Sequence, residues 1–311
     1  MHNYLTGSYL SKLQINKIIS EVEEMQFIII QKDDKAYKKL LGKLRDAIAT
    51  AYDEKTREAL KGVVEYILKK GSDKFTAADS KAIDKILLDK LGKDFENTVS
   101  DDVDKLTEEI LKLGKNEIAK PLKVKLSFNV NDTEASKILA EQNLFWIRNY
   151  YGDNLKTKFD ELTSGYFNSD KTLKEIAEDF ETNFKSLTDQ GSQYFYDLAE
   201  HQTNTVRELG KVNAFEQAKI QFYEIRAVMD DRTSEICQRL NGVIFPVERA
   251  IEYRDNILNL KDPEEIKEAS PWLTPEQVLA LPADDADLPP GLSLPPYHFR
   301  CRTLVVAYFN E

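Results

Sequence analysis

Apolar residues recur at helical spacing through most of the first two hundred positions. Leu40, Leu41, Leu44, Ala47, Ile48, Ala51 and Tyr52 fall at i, i+3, i+4 intervals, and Leu60, Val63, Val64, Ile67 and Leu68 extend the stripe. Gly71 offers a stop. Ala82, Ile83, Ile86, Leu87 and Leu91 predict the next helix, closing near Gly92, and Val103, Leu106, Ile110 and Leu113 predict another behind a Ser100-Asp101 cap. Pro121 and the alternating Val124, Leu126, Phe128 and Val130 predict a short extended connector, the expected hinge. Helices resume with Ala135, Ile138, Leu139, Leu144, Phe145 and Ile147. Thr172 and Glu175 fit a capping box ahead of Ile176, Ala177, Phe180 and Phe184. A long helix is expected from Ser192 to Glu208, with Gly210 as a point where it can break. Stripes of this kind are ordinary helix packing and carry no chemistry.

The pattern then changes. Ile220 to Met229 is rich in β-branched and aromatic residues, as a strand is, and Asp230-Asp231 ends it. Thr233 to Leu240 predicts one or two helical turns. Asn241-Gly242 is a tight-turn signal, because both residues tolerate positive φ. A short strand at Val243-Ile244-Phe245, a polar helix-prone insert over 248–280 and a proline-rich loop over 282–296 follow, and Thr303 to Phe309 predicts a closing strand. The expected fold is α+β and predominantly α-helical. It has an N-terminal helical region (1–130), a central helical bundle (131–217) and a small C-terminal mixed α/β knob (218–311).

Composition sharpens that division. Nine of the ten prolines lie at Pro246 or later, eight of eleven arginines follow residue 200, and 28 of 32 lysines precede it. Apolar residues are 41% and charged residues 31%, enough apolar material for a real core. Phe27-Ile28-Ile29-Ile30 is the longest early apolar run, far short of a membrane span. The first residues, Met1-His2-Asn3-Tyr4, lack a secretory layout, which points to a cytoplasmic setting in which two cysteines are thiols or ligands more often than a disulfide. The net charge of −11 disfavours a generic nucleic-acid coat but leaves room for a local DNA contact.

Candidate chemistry concentrates near the C-terminus. Only three histidines and two cysteines occur, yet His298 and Cys301 stand three positions apart. That spacing lets one turn aim both side chains at a common ion. Cys237 supplies a third ligand, and Asp231, or Asp230 in its place, a fourth; otherwise water completes the shell. Arg232, Arg300 and Arg302 are placed to lower a thiol pKa. Zinc is the ion this set suits. Two other readings stay open: Cys237 packing as a small apolar residue, or Cys237 joined to Cys301 as a disulfide. In all three, residues 230–245 and 296–309 come together and the insert loops out. Asp231-Arg232-Thr233 invites a catalytic role, but a helix cap, with Arg232 pairing back to the sheet, is the stronger explanation, and no second carboxylate, His base or phosphate loop stands in register. His201, between Glu200 and Gln202, is expected to be a surface or groove histidine.

The order of these parts resembles a known family. Asp230-Asp231-Arg232-Thr233, Cys237, Leu240-Asn241-Gly242, Val243-Ile244-Phe245-Pro246, then Pro295-Pro296-x-His298 and Cys301-Arg302 is similar to the C-terminal module of phage head-morphogenesis proteins of the Mu F-like minor head type. The resemblance covers about 135–311. It implies a non-enzymatic minor capsid protein in the virion, at the portal vertex or head interior. Such a protein is assembled in a bacterial cytoplasm and aids head assembly, DNA packaging or delivery. The implied partners are the portal protein and the major capsid or scaffold protein. The family often carries Cys where Ser234 and Thr303 stand here, so a four-cysteine site is not expected. Arg232, Thr233, Asn241, Gly242 and Arg302 would be structural elements of the module.

Two competing functions remain. Similar modules occur beside toxin domains, so an effector is one alternative, although the strand ending at Phe309 leaves no appended warhead. A DNA-binding adaptor is the other. Residues 201–311 hold 12 Lys+Arg against 18 Asp+Glu, however, which makes the knob acidic.

Overall fold

The computed structural model describes residues 34–70, 74–167 and 169–309. The 27–30 run and the Gly71 stop lie outside them. Six long or medium helices build the body: α1 (Asp34–Lys69), α2 (Ala77–Leu88), α3 (Phe95–Ala119), α4 (Val130–Tyr150), α5 (Lys156–Ser164) and α6 (Leu173–Ala218). The knob adds β1 (Phe222–Arg226), α7 (Glu235–Leu240), β2 (Ile244–Pro246), α8 (Val247–Asn259), α9 (Pro263–Ala269), α10 (Pro275–Leu279) and β3 (Leu304–Tyr308). The fold is predominantly helical α+β, as the periodicity predicts.

Local chemistry sets several helix starts. The Thr76 amide donates to Asp79 Oδ2 at 2.7 Å ahead of α2. The Asn129 amide donates to Asp132 Oδ2 at 2.9 Å, and the Asp132 amide returns a bond to Asn129 Oδ1 at 3.1 Å. The Thr172–Glu175 box forms as expected, with 2.7 and 3.3 Å bonds in the two directions.

Three expected helix boundaries are not boundaries. Gly92 lies in a π-helical stretch, Asp89–Asp94, that joins α2 to α3 without a stop. Ser100-Asp101 sits inside α3. Gly210 does not break α6, which runs 46 residues through both Gly191 and Gly210. The reason is packing. A Cβ on Gly210 would stand 2.4 Å from the Leu111 carbonyl oxygen, and one on Gly114 would stand 2.0 Å from the Arg207 carbonyl oxygen. These two glycines let the backbones of α3 and α6 touch.

The connector at 120–129 joins α3 to α4, which pack on each other. One hydrophobic cluster runs from Tyr37 in α1 to Ala307 in β3, so body and knob share a core. Within that core lies a buried charge network. Arg207 Nε donates to both oxygens of Glu117 at 2.9 Å, Lys211 pairs with Glu208 at 2.5 Å, and Lys115 pairs with Asp132 at 2.5 Å. Burial on this scale is tolerated only because each charge has a partner.

Among the described residues the sheet is three-stranded and antiparallel, in the order β2-β1-β3. Tyr223 stands opposite Phe245 on one side and Ala307 on the other. Its ring stacks on Phe215 of α6 at 6.1 Å, and its hydroxyl donates to the Ser293 carbonyl at 2.7 Å. The proline-rich loop is thus tied to the sheet. Arginines finish that job: Arg249 Nη2 donates to the Pro289 carbonyl at 2.9 Å, and Arg239 holds Asp285 and the Pro282 carbonyl at 2.9 and 2.8 Å. A forked guanidinium suits carbonyls spread along an irregular chain, and this accounts for part of the arginine enrichment in the knob.

Candidate metal centre

β1 ends at Arg226, and the chain turns through 227–234 before α7. Thr233 organises the turn: its hydroxyl donates to the Val228 carbonyl at 2.7 Å and accepts the Asp230 amide at 2.8 Å. Ser234 is the N-cap residue, which puts Cys237 in the first turn of α7 with its side chain inward and 3% exposed. After α7, Gly242 takes φ +84° and donates to the Ile225 carbonyl at 2.8 Å, while Asn241 Oδ1 accepts the Ala227 amide at 2.9 Å. The Asn-Gly turn forms as expected and returns the chain after α7 alongside β1, with Gly242 alone taking positive φ while Asn241 keeps φ −62°.

The second half of the site arrives just before β3. Arg300 adopts φ +59°, a left-handed conformation, and its guanidinium grips Asp197 of α6 at 2.7 and 3.0 Å. Asn204 Nδ2 donates to the Cys301 carbonyl at 3.1 Å. One α6 face thus holds the loop that carries His298 and Cys301. Arg302 closes the clasp from the other side with a two-pronged pair to Asp230, at 2.7 and 2.5 Å.

The result is a tight cluster. Cys237 Sγ lies 3.6 Å from Cys301 Sγ and 3.3 Å from His298 Nε2. The ligand atoms of Cys237, His298 and Cys301 all fall within 4.8 Å of one another, a group that could hold a metal ion. Tetrahedral zinc, with Zn–S near 2.3 Å and Zn–N near 2.0 Å, sets S···S and S···N separations of about 3.8 and 3.5 Å. The Cys237–Cys301 and Cys237–His298 distances need only a few tenths of an ångström of expansion. The imidazole is oriented for the task. Its Nδ1 contacts the Phe299 carbonyl at 2.7 Å, so Nδ1–H donates there and Nε2 faces Cys237 Sγ at 3.3 Å, where it would ligate an ion once unprotonated.

Electrostatics favour a thiolate at Cys237. The hydrogen bond from Cys301 is the largest influence lowering its pKa; burial opposes it, and His298, Ser234 and Thr303 add further bonds. Cys301, the donor in that bond and itself buried, is pushed up. Contact with Cys237 raises His298, against the effect of burial. One negative charge is shared among several donors, the electrostatic setting a cation would exploit.

Asp231 is not part of the centre. It is exposed and does not belong to the converging group, because the Thr233 turn leaves it on the outer side. Asp230 is committed to Arg302 and the turn. Ser234 lies against the cluster instead: its hydroxyl is 2.8 Å from His298 Nε2. Only the resemblance points to Ser234 and Thr303, as positions where similar modules often carry Cys. Asn204 and Asp197 left no signal, since a polar residue on a long helix reads as solvated until its face is known to be covered.

Of the two settings expected for His201, surface or groove, the half-buried ring takes the groove. Its ring meets Trp272 and Phe299 edge-on, with centroids 5.3 and 5.7 Å apart, and burial pushes its pKa down to about 4. Trp272 comes from the insert, so the insert folds back over the helix beside the centre instead of looping free.

No protein family's profile matches this chain, and no curated protein or solved structure matches it significantly. No helix among the described residues is long and apolar enough to cross a membrane.

Proposed function

We propose that this chain is a non-enzymatic minor head protein of a phage or prophage particle, and that its C-terminal knob is stapled by a zinc ion. Cys237, His298 and Cys301 would hold the ion, and the Ser234 hydroxyl or a water would complete the shell. The observation that carries the reading is the meeting of Cys237 and Cys301, 64 positions apart in sequence, at 3.6 Å with His298 alongside. The motif order that resembles the minor head module predicts this closure, and burial of both thiols suits a structural ion better than a reacting one. The ion would neutralise two thiolates and cross-link two loops around the insert.

The arginines of the knob argue against the DNA adaptor. Arg226, Arg239, Arg254, Arg300 and Arg302 each pair with a carboxylate, which weakens their pull on phosphate. The portal, capsid or scaffold protein is then the partner class, and the helical body the docking element.

Two measurements test the proposal. Purified particles should contain the protein in few copies, co-sedimenting with heads or portal rings; protein found only free in the lysate rejects the role. Elemental analysis of the purified chain should give one zinc per molecule, lost in Cys237→Ser.

A further inference from the structure

We propose that Cys237 and Cys301 are also a cross-linking site, which closes as a disulfide when the ion is absent and a hydroperoxide is present. Their sulfurs are in van der Waals contact at 3.6 Å, and no atom separates them. A disulfide needs about 2.05 Å, a closure of roughly 1.5 Å. The surroundings permit that movement. Cys237 sits in the first turn of a six-residue helix, and Cys301 precedes β3 on an irregular segment outside the strand ladder.

The chemistry is complete within the cluster. Cys237 Sγ stands 3.3 Å from His298 Nε2, which Ser234 Oγ contacts at 2.8 Å, so Cys237 is the sulfur on the side those two residues form. Both cysteines are 3% exposed, which shuts out bulky oxidants, whereas hydrogen peroxide is little larger than water. The half-buried His298 and Ser234 form the approach. The Cys237 thiol gives up its proton as its sulfur attacks one peroxide oxygen, the O–O bond breaks, and the leaving hydroxide takes that proton to become water. The resulting sulfenic acid is then attacked by the Cys301 sulfur. The S–S bond forms, the S–O bond breaks, and the second oxygen leaves as water with the Cys301 proton. In sum, two thiols and one hydrogen peroxide give one disulfide and two waters.

Ion and disulfide exclude each other. The ion uses both sulfurs as thiolates; the disulfide has surrendered both negative charges and ligates poorly. The clasp can therefore be held by either of two staples, the ion in a reducing compartment and the S–S bond in an oxidising medium. The cross-link itself does not depend on the zinc reading; only the mutual exclusion does.

The chain contains two cysteines, so an intramolecular disulfide can only be this one. Full-length protein is stripped with chelator under reductant, desalted and exposed to hydrogen peroxide. It is then unfolded, alkylated and weighed intact. The expected result is a monomer lighter by two hydrogens that takes up no alkyl groups. Cys301→Ser should stop at an oxygenated Cys237 with no cross-link. Protein that keeps two alkylatable thiols, or that gains oxygen on Cys237 without losing the Cys301 thiol, overturns the proposal. A parallel sample preloaded with zinc should lose its thiols more slowly. Equal rates in the two samples, with the cross-link formed in both, uphold the disulfide and reject the zinc staple.

Discussion

Glu208 Oε2 accepts the amide hydrogen of Val305 at 2.9 Å, deep in the interior. This bond satisfies an amide of β3 that points away from β1 and would otherwise be an open sheet edge. The same carboxylate pairs with Lys211, which is fully buried. One side chain therefore caps a strand, neutralises a buried ammonium and joins the long helix to the knob.

Glu208→Ala should be among the most damaging single changes. It leaves Lys211 charged and poorly paired and strands the Val305 amide, a loss of about 3–5 kcal/mol. Glu208→Gln keeps the amide's acceptor and should cost less. Denaturant unfolding of the two variants checks the order; equal, small losses would show that the network is not a stabilising junction.

The helix crossing makes a paired prediction. Gly114→Ala forces a methyl group to within 2.0 Å of the Arg207 carbonyl oxygen and should destabilise by about 1–3 kcal/mol or more. Gly42→Ala in α1 meets no atom within 4 Å, and it should stabilise by about 0.5–1 kcal/mol by removing a helical glycine. Opposite signs in thermal melts are the expected outcome.

Ser234→Cys would add a thiolate on the open side of the cluster, 2.8 Å from His298 Nε2 in the native hydroxyl's place. Zinc affinity should rise by about tenfold or more, since each soft donor replaces a weaker one. Cobalt substitution gives an independent view, because the thiolate-to-metal absorption should intensify. An unchanged spectrum would mean that Ser234 does not face the ion.

Asp79 predicts acid sensitivity of the body. Burial alone would raise its carboxyl, but bonds from the Lys70 ammonium, Thr76 and the Tyr66 hydroxyl together outweigh it and hold the pKa at about 2. Its folded value lies below its unfolded one. Its stabilisation, on the order of 2 kcal/mol, is therefore complete above pH ~4 and fades as pH falls through about 2. Asp79→Asn should be less stable at neutral pH and flatter between pH 4 and 2. Retention of the native acid slope in that variant would assign the effect elsewhere.

Much of this architecture is legible from residue order. The apolar stripes, the Thr172–Glu175 box and the Asn241-Gly242 turn are local, and local chemistry decides them. Ser100-Asp101 and Gly92 look like helix ends because their side chains suit ends, yet neighbouring helices hold them inside continuous ones. Gly210 misleads for a similar reason: a residue that weakens an isolated helix is required where another backbone presses against it. At the centre, Cys237, His298 and Cys301 stand out by rarity and spacing. Asp231 reads as an optional fourth donor because proximity in sequence says nothing about which side of a turn faces inward. Ser234, one turn earlier on the same short helix as Cys237, takes that side.

The unbroken run of α6 has a mechanical consequence. Its 46 residues make a shaft about 70 Å long; Asp197 and Asn204 bolt the loop before the final strand to it, and Glu208 bolts the strand itself, at three successive heights. The knob cannot swivel on such a shaft without shearing interior bonds. Whatever surface grips the far end of the rod therefore also aims the knob.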